Sequence, residues 1–494
     1  MSKSRVFFVL LISFVGGIFA RSFLELPIVF YYFSTLAVLV ALAIAPKNKN
    51  TWATAMFVGI FLIGAWSLEK EITKRTDSSL AGREVWERVV VSNDTQLSGV
   101  YQKTIFVFKD LNIHVIASVP ISSHLAYGDE AEISCMLSVV ENLPTGQAGK
   151  DPKFDYRMYL AKDHVEYECR NLKILSVAKS SHKDIFALLL EMRKFFEEKI
   201  NEVIPQPEGA LAVGLIFGGS GGLSENLKND FSRTGLTHII AVSGYNVTIV
   251  AKYLVLLGIF AGLWRNKAVW FGIFGIAAFV VMAGMPASAV RAGVMASVVL
   301  WAAKNGRLAT SYNAILLAAA IMLIFNPLLL RYDIGFQLSF MATIGIVTCS
   351  QLWSQSEFSK LKLGGLIEAL ILTLGAQIFV WPIIAYNFQT FSVISLVANM
   401  LVLEFIPFSM LLVFVVALAS LLNSFLTLSL AWIAYAPLRY EVFVIETLGK
   451  ISWASAQIQN ISPFFVFCYY LLVGLASYVL MRRQQAILLK SFQS

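Results

Sequence analysis

Charge, histidine and cysteine are all sparse in this chain. Asp, Glu, Lys and Arg make up 14% of its 494 residues, alongside five histidines and four cysteines. So low a charge density excludes an ordinary soluble chain of this length. The histidines, His114, His124, His164, His182 and His238, form no H-x-H-x-D-H cluster, so no motif holds a catalytic metal pair. The glycine-rich stretch GGSGG at 218–222 lacks the Lys-Ser/Thr of a phosphate-binding loop, which excludes an ATPase of that kind. Neither a catalytic residue, a metal site nor a cofactor is expected.

Apolar sequence is abundant instead. Hydrophobic residues make up 57% and the mean hydropathy is +0.70, in repeated runs of the roughly 20 residues that a spanning helix requires. The expected fold is a polytopic α-helical protein of the cytoplasmic (inner) membrane. A net charge of +8 is no nucleic-acid signal here, because Lys and Arg gather in the cytoplasmic loops of any membrane protein.

Those cations predict the orientation. Lys3 and Arg5 precede the apolar run 6–20, and Lys47 and Lys49 separate the runs 27–45 and 52–68. Both clusters read as cytoplasmic, so the third run exits outward. Ile18 and Ala20 make a poor small-x-small cleavage site, and two more spans follow, so the first run reads as an uncleaved anchor. Arg265 and Lys267, Lys304 and Arg307, Lys360 and Lys362, and Arg482 and Arg483 then mark later cytoplasmic loops. Hairpins 268–284/290–303 and 311–329/335–350 satisfy that pattern, for a total of about 10 to 13 spans. The predicted organisation is N-terminal transmembrane helices (1–68), an extracytoplasmic β domain (69–183), an amphipathic interfacial helix (184–207), a transmembrane bundle (208–481) and a cytoplasmic tail (482–494), both termini being cytoplasmic.

Between 69 and 183 charged residues are spread throughout. The segments 84–92, 104–110, 112–120, 130–141 and 164–177 are rich in Val, Ile and aromatics and bounded by Gly, Asn, Asp or Pro, as short strands are. Five strands with one helical insert, FDYRMYLA at 154–161, predict a small OB-like barrel. Cys135 and Cys169 fall in its strands; a disulfide between them and two buried thiols are both compatible with that placement. Residues 184–204 then put apolar positions at helical spacing beside Glu191, Arg193, Lys194, Glu197, Glu198 and Lys199, ended by Pro205 and Pro207. That is an amphipathic helix for the outer interface or a groove between domain and bundle.

Four places in the bundle break the apolar pattern. A single inward span at 236–262 carries His238, Ser243, Asn246 and Lys252, and the run 209–218 before it is too short to cross, so it reads as a half-helix or re-entrant segment. Arg291 lies beside a small-residue ridge of Gly284, Ser288, Ala292 and Ala296; it either faces a polyanion path or pairs with Asp333 or Glu404. Asp333 and Gln337 share a helical face at i and i+4, although Asp333 also sits where an N-cap would. Residues 381–408 hold Pro382, Asn387, Gln389, Asn399, Glu404 and Pro407, the pattern of a broken helix followed by a span.

The stretches GLIFGGSGGLSENLKNDFSRTGLTHIIAVSGYNVTIV (214–250), PASAVRAGVMA (286–296), YDIGFQLSFMATIGI (332–346) and FSVISLVANMLVLEFIPF (391–408) resemble, in order and character, the membrane core of the ComEC-type competence channel family. The outer domain, with FDYRMYLAKDHVEYEC (154–169), is similar to that family's OB-type N-terminal domain. The resemblance implies a channel carrying single-stranded DNA across the cytoplasmic membrane during natural transformation. It also implies a membrane-anchored DNA receptor, a cytoplasmic helicase-like translocase and a separate nuclease as partners. Asn246 stands where many relatives have His, which argues against a titrating imidazole there. Many members continue into a metallo-β-lactamase-like domain; without an H-x-H-x-D-H cluster this chain is expected to have no nuclease activity of its own.

DNA passage needs fixed cations, helix N-termini or amides to replace the water and counterions that phosphates lose. Lys228, Arg233, Lys252 and Arg291 are candidates for that track, and His238, Ser243, Gly244, Asn246, Asp333, Gln337, Asn399 and Glu404 for the rest of the lining. Trp86, Tyr101, Phe106, Phe108 and Tyr127 either stack bases or fill the barrel core. An intramembrane serine protease at Ser243 fits poorly, because His238 lies roughly 140° around a continuous helix. An ion-coupled transporter of a smaller solute, using Arg291, Asp333 and Glu404, is the alternative.

Overall fold

Lipid offers backbone polar groups no hydrogen-bond partner, so the apolar runs close their bonds internally, as helices. The computed structural model describes residues 3–24, 28–44, 49–75, 79–93, 96–98, 101–123, 125–140, 155–179, 184–240, 242–305, 311–354, 364–458 and 461–491. Lys47, His124, Phe154, His182, Arg307, Lys360 and Lys362 lie outside the described residues.

In chain order the helices and strands are α1 (Lys3–Phe23), α2 (Ile28–Ile44), α3 (Lys49–Arg75), β1 (Glu84–Val91), β2 (Gln96–Ser98), β3 (Tyr101–Phe108), β4 (Ile113–Pro120), β5 (Glu130–Val139), α4 (Tyr156–Ala161), β6 (Val165–Ala178), α5 (Ile185–Val203), α6 (Glu208–Phe217), α7 (Glu225–Thr234), α8 (Thr237–Ile240), α9 (Gly244–Phe260), α10 (Arg265–Met282), α11 (Ala287–Lys304), α12 (Ser311–Phe325), α13 (Leu329–Tyr332), α14 (Ile334–Ser354), α15 (Gly364–Phe388), β7 (Thr390–Ser392), α16 (Ser395–Val402), α17 (Ile406–Ala419), α18 (Ser424–Gly449), β8 (Ser455–Gln457) and α19 (Pro463–Ser491). Seven helices among the described residues are long and apolar enough to cross a bilayer, or eight if α16 and α17, bent by 46°, count as one span. The chain is a multi-pass membrane protein. The larger count expected from hydropathy included runs that fold as helices too short to meet that length, such as α9 and α12, whereas α6 is short as expected.

The chain forms two compact units that do not follow its order: Met1–Ala187 with Leu308–Gln337, and Leu188–Arg307 with Leu338–Ser494. In the first, α1 packs on α3 at glycine contacts. A Cβ on Gly17 would collide with the Phe61 carbonyl and one on Gly64 with the Phe14 carbonyl, the close approach that small residues permit in membranes. Arg21 and Glu69 form an ion pair beside this contact. Helices α12 and α13 join the unit through α1, with the Arg331 guanidinium 5.5 Å over the Phe23 ring.

The sheet of this unit has six strands, one more than expected; β2 is a three-residue addition on β3. β1 pairs antiparallel with both β3 and β5, β3 with β4, β5 with β6, and β4 runs parallel to β6. The pairings β1-β3-β4-β6-β5-β1 thus form a closed circuit. Inward residues alternate along the strands, with Phe106 and Phe108, Val115 and Val119, Ile133 and Leu137 fully enclosed, as a one-sided apolar face requires. Cys135 and Cys169 are buried in this core as free thiols on neighbouring strands. A hydrogen bond between the thiols holds Cys135 below the usual thiol range, against the effect of burial, and pushes Cys169 up. Between β5 and β6, Asp155 caps α4 by accepting from Met158 N at 3.0 Å.

The second unit is a helix bundle. The amphipathic helix α5 buries Leu190, Phe196 and Ile200 and exposes Ile185, Leu188, Met192 and Phe195. The core continues through α6, α8, α9, α11 and the pair α17–α18. Pro382, read from sequence as a break, lies inside the continuous helix α15; the bend falls later, between α16 and α17.

Replacing Gly64 by Leu should separate α1 from α3 and deplete the full-length chain in membrane fractions on immunoblot. Gly59→Leu, where an added Cβ meets nothing within 4 Å, should leave abundance unchanged.

Candidate functional site

The expected span at 236–262 is not one helix. The chain leaves helical geometry between Ile240, the end of α8, and Gly244, the start of α9, with Ser243 extended at φ −92°, ψ 162° as the N-cap. Serine favours this role because its hydroxyl can accept from a backbone N–H of the first turn. Here it accepts from Asn246 N at 3.2 Å and donates to Asn246 Oδ1 at 3.0 Å. The Asn246 amide, buried, donates from Nδ2 to Leu215 O of α6 at 3.0 Å.

Neighbouring elements bond the rest of the break. Gly219 N donates to Ile240 O at 3.1 Å, and Ser288 Oγ of α11 donates to Val242 O at 2.7 Å. Gly218, which ends α6, has φ +79°, and a Cβ there would stand 2.6 Å from Val242 Cγ2; both the conformation and the approach require glycine. The short helix α6, the GGSGG turn, the α8–α9 break and the start of α11 are therefore one hydrogen-bonded junction.

Of the predicted lining residues, this junction gathers Ser243, Gly244 and Asn246. Ala292, next to Arg291, lies 3.7 Å from where a Gly244 Cβ would be. Arg291 is 1% exposed, with its guanidinium 5.5 Å over the Phe340 ring. Tyr253 of α9 donates to Pro407 O at 3.2 Å, which brings α9 against the α16–α17 bend. Glu404, exposed at that bend, acts electrostatically on the Tyr245 hydroxyl. Asn399 of α16 is buried and its Oδ1 has no hydrogen-bond partner.

The remaining cations are not at the break. Lys228 pairs with Glu225 at 2.8 Å within α7, Arg233 donates to Ile451 O at 2.7 Å, and Lys252 is exposed on α9. His238 has Nδ1 3.1 Å from Gly235 O. The helix does break at Ser243, as a protease reading would require, yet its hydroxyl donates to the Asn246 amide instead of to an imidazole.

Asp333 and Gln337 belong to the first unit. Asp333 caps α14, accepting from Phe336 N at 2.9 Å, and its Oδ2 lies 3.4 Å from Lys162 Nζ. Gln337 ties the α13–α14 turn by donating to Leu330 O and Arg331 O. Lys162 follows α4; its ammonium also meets Asp163 at 3.6 Å and the Tyr159 ring at 4.5 Å, and its carbonyl accepts from Asn326 Nδ2 at 2.6 Å. Burial opposes charge on Lys162, but Asp163, Asp333 and Tyr159 outweigh it and raise its pKa, while burial raises that of Asp163.

Sequence reasoning passed over Lys162, Glu208, Ser409, Arg439 and Glu441. Glu208, 1% exposed, accepts from Arg439 Nη1 at 3.0 Å, and Ser409 donates to Glu441 Oε1 at 2.6 Å. The last two charges were visible as R-Y-E within an apolar run, a recognised sign of function inside a membrane. Among the described residues no group of three or more His, Cys, Asp or Glu is placed to hold a metal ion.

The family model described as Competence protein matches residues 215–483, which is more than half of the chain and includes the whole of the junction after Gly214. The chain belongs to the competence protein family. ComE operon protein 3 of Bacillus subtilis (strain 168) is 29% identical over 341 residues, or 68% of this chain. The aligned part is 41% of that relative, so this family member spans about two fifths of the relative's length. No solved structure matches.

Asn246→Ala should remove the tie between α6 and the start of α9 and lower stability by about 2 kcal/mol, since Leu215 O loses its bond in a buried setting. A fall in the thermal unfolding midpoint of the detergent-solubilised chain checks it. Lys162→Ala should cost about 3 kcal/mol by leaving Asp333 without its ammonium. Limited proteolysis would report this as faster cleavage in the sheet domain.

Proposed function

We propose that this chain conducts single-stranded DNA across the cytoplasmic membrane during uptake in natural transformation. Its membership of the competence family, with the family match lying on the broken-helix junction, is the observation that carries the reading. Helix ends support it: α9 and α11 both begin at the junction, and N-termini present unbonded N–H groups and positive dipole ends suited to phosphates. Arg291, one turn into α11, supplies a full charge there.

The same reading puts residues 69–183 outside the cell membrane and both termini in the cytoplasm. It takes the closed strand circuit, with its parallel β4–β6 pair, as an OB-type barrel. Trp86 and Tyr101 are exposed and available to stack bases, whereas Phe106 and Phe108 fill the core and Tyr127 packs on Phe186 at 4.6 Å. A membrane-anchored receptor would deliver DNA to this domain. A helicase-like translocase would draw the strand in, and a separate nuclease would remove its complement, this chain having no enzymatic role.

Uptake of labelled DNA by cells carrying Arg291→Ala tests the proposal. Internalised single strands should fall about tenfold or more at normal membrane abundance, as loss of one desolvated charged contact predicts. Unchanged uptake in a strain deleted for the chain would overturn the reading and favour transport of a smaller solute.

A further inference from the structure

We propose that Glu441 is a proton-binding site of the transmembrane bundle, occupied when α17 and α18 are packed together and emptied when they part. The inference rests on the transport reading above and adds the coupling ion to it.

Helix α18 crosses the membrane by length and composition, and Glu441 lies within it at 0% exposure. Its Oε1 accepts a 2.6 Å hydrogen bond from Ser409 Oγ, on α17 and equally enclosed. Its Oε2 is buried with no hydrogen-bond partner. The surrounding buried residues are aliphatic, including Met410, Val413, Leu438, Val442 and Ile445. One hydroxyl does not replace the hydration of a carboxylate, so the group is held as the neutral acid.

Among the described residues no neighbouring charge alters this, and Glu404, in the α16–α17 bend, is exposed. Helices α16 and α17, both packed on α18, carry no titratable side chain. On α6 the only one is Glu208, engaged by Arg439 at 3.0 Å. On α7, Glu225 and Lys228 pair with each other, Arg233 bonds to Ile451 O, and Asp230 lies in the field of Glu446 and Lys450. On α18 itself Tyr440 donates to Leu401 O, Arg439 is turned to Glu208, and Tyr435 lies in the field of that same arginine.

Release breaks the carboxyl O–H bond, leaves a carboxylate on Glu441 and passes the proton to water. The anion then has only Ser409 to solvate it, so water must enter between α17 and α18. Proton occupancy and helix packing are thereby linked: the neutral acid favours the closed pair and the anion an opened one. An ionisable group in a span with no structural counter-charge is the arrangement expected of such a site.

The test uses the full chain in phospholipid vesicles. A pH step followed by infrared difference spectroscopy should show the carbonyl stretch of a protonated carboxylic acid, absent in Glu441→Gln and shifted in Ser409→Ala. A membrane potential should drive proton entry, read by an entrapped pH dye, at least tenfold faster for the wild type than for Glu441→Gln. The Gln variant keeps the shape of the neutral acid, and Ser409→Ala keeps the acid itself, so folding does not obscure the result. Equal proton entry in wild type and Glu441→Gln, no entry above protein-free vesicles, or an unchanged carboxyl band in Glu441→Gln would each overturn the proposal. These readings use no DNA, so unchanged DNA uptake in the deletion strain would sink the channel reading and leave Glu441 to be judged on its own.

Discussion

A helix that stops inside an apolar bundle must find other partners for its last carbonyls and first amides, and the second unit is organised around meeting that demand between Ile240 and Gly244. Ile240 O takes the amide of Gly219, Val242 O takes the hydroxyl of Ser288, and the first turn of α9 is closed by Ser243. Each bond fixes a different element, so the short length of α6, the left-handed glycine at 218 and the serine at the head of α11 follow from one break.

Charges in apolar surroundings follow a second pattern. Arg21 with Glu69, Lys162 with Asp333 and Glu208 with Arg439 are each paired across elements, as burial demands. Glu441 has a hydroxyl in place of a cation, and it is the departure from this pattern that singles it out.

Hydropathy located long helices such as Val6–Phe23 and Trp52–Lys74 well, because such a run averages over many residues and no local choice changes the outcome. Strand alternation likewise found β1, β3, β4, β5 and β6 but missed β2, whose three residues are too few to alternate. The same averaging hid the break in 236–262, where Val242 and Ser243 leave the helix while their neighbours remain apolar. Asp333 was legible as a cap from its position before α14. Its ammonium partner lies 171 residues away, at Lys162, beyond any local pattern. Ser243 and Asn246 were found as polar residues in an apolar run, but the partner of the Asn246 amide is the backbone carbonyl of Leu215, which carries no signal of its own.

Because α12 and α13 pack with the sheet domain and α1, the first unit closes through contacts between residues far apart in the chain. Residues 188–307, which belong to the other unit, are made in between. During synthesis the early helices and sheet must therefore wait, with Lys162 lacking its carboxylate and Lys162 O lacking the Asn326 amide, until more than a hundred further residues have entered the membrane. Non-local closure of this kind slows folding and makes assembly of the first unit report on completion of α10 and α11. A chain that stalled before residue 337 would expose an unfinished sheet domain to quality-control proteases, so only molecules that had already made residues 188–307 would persist.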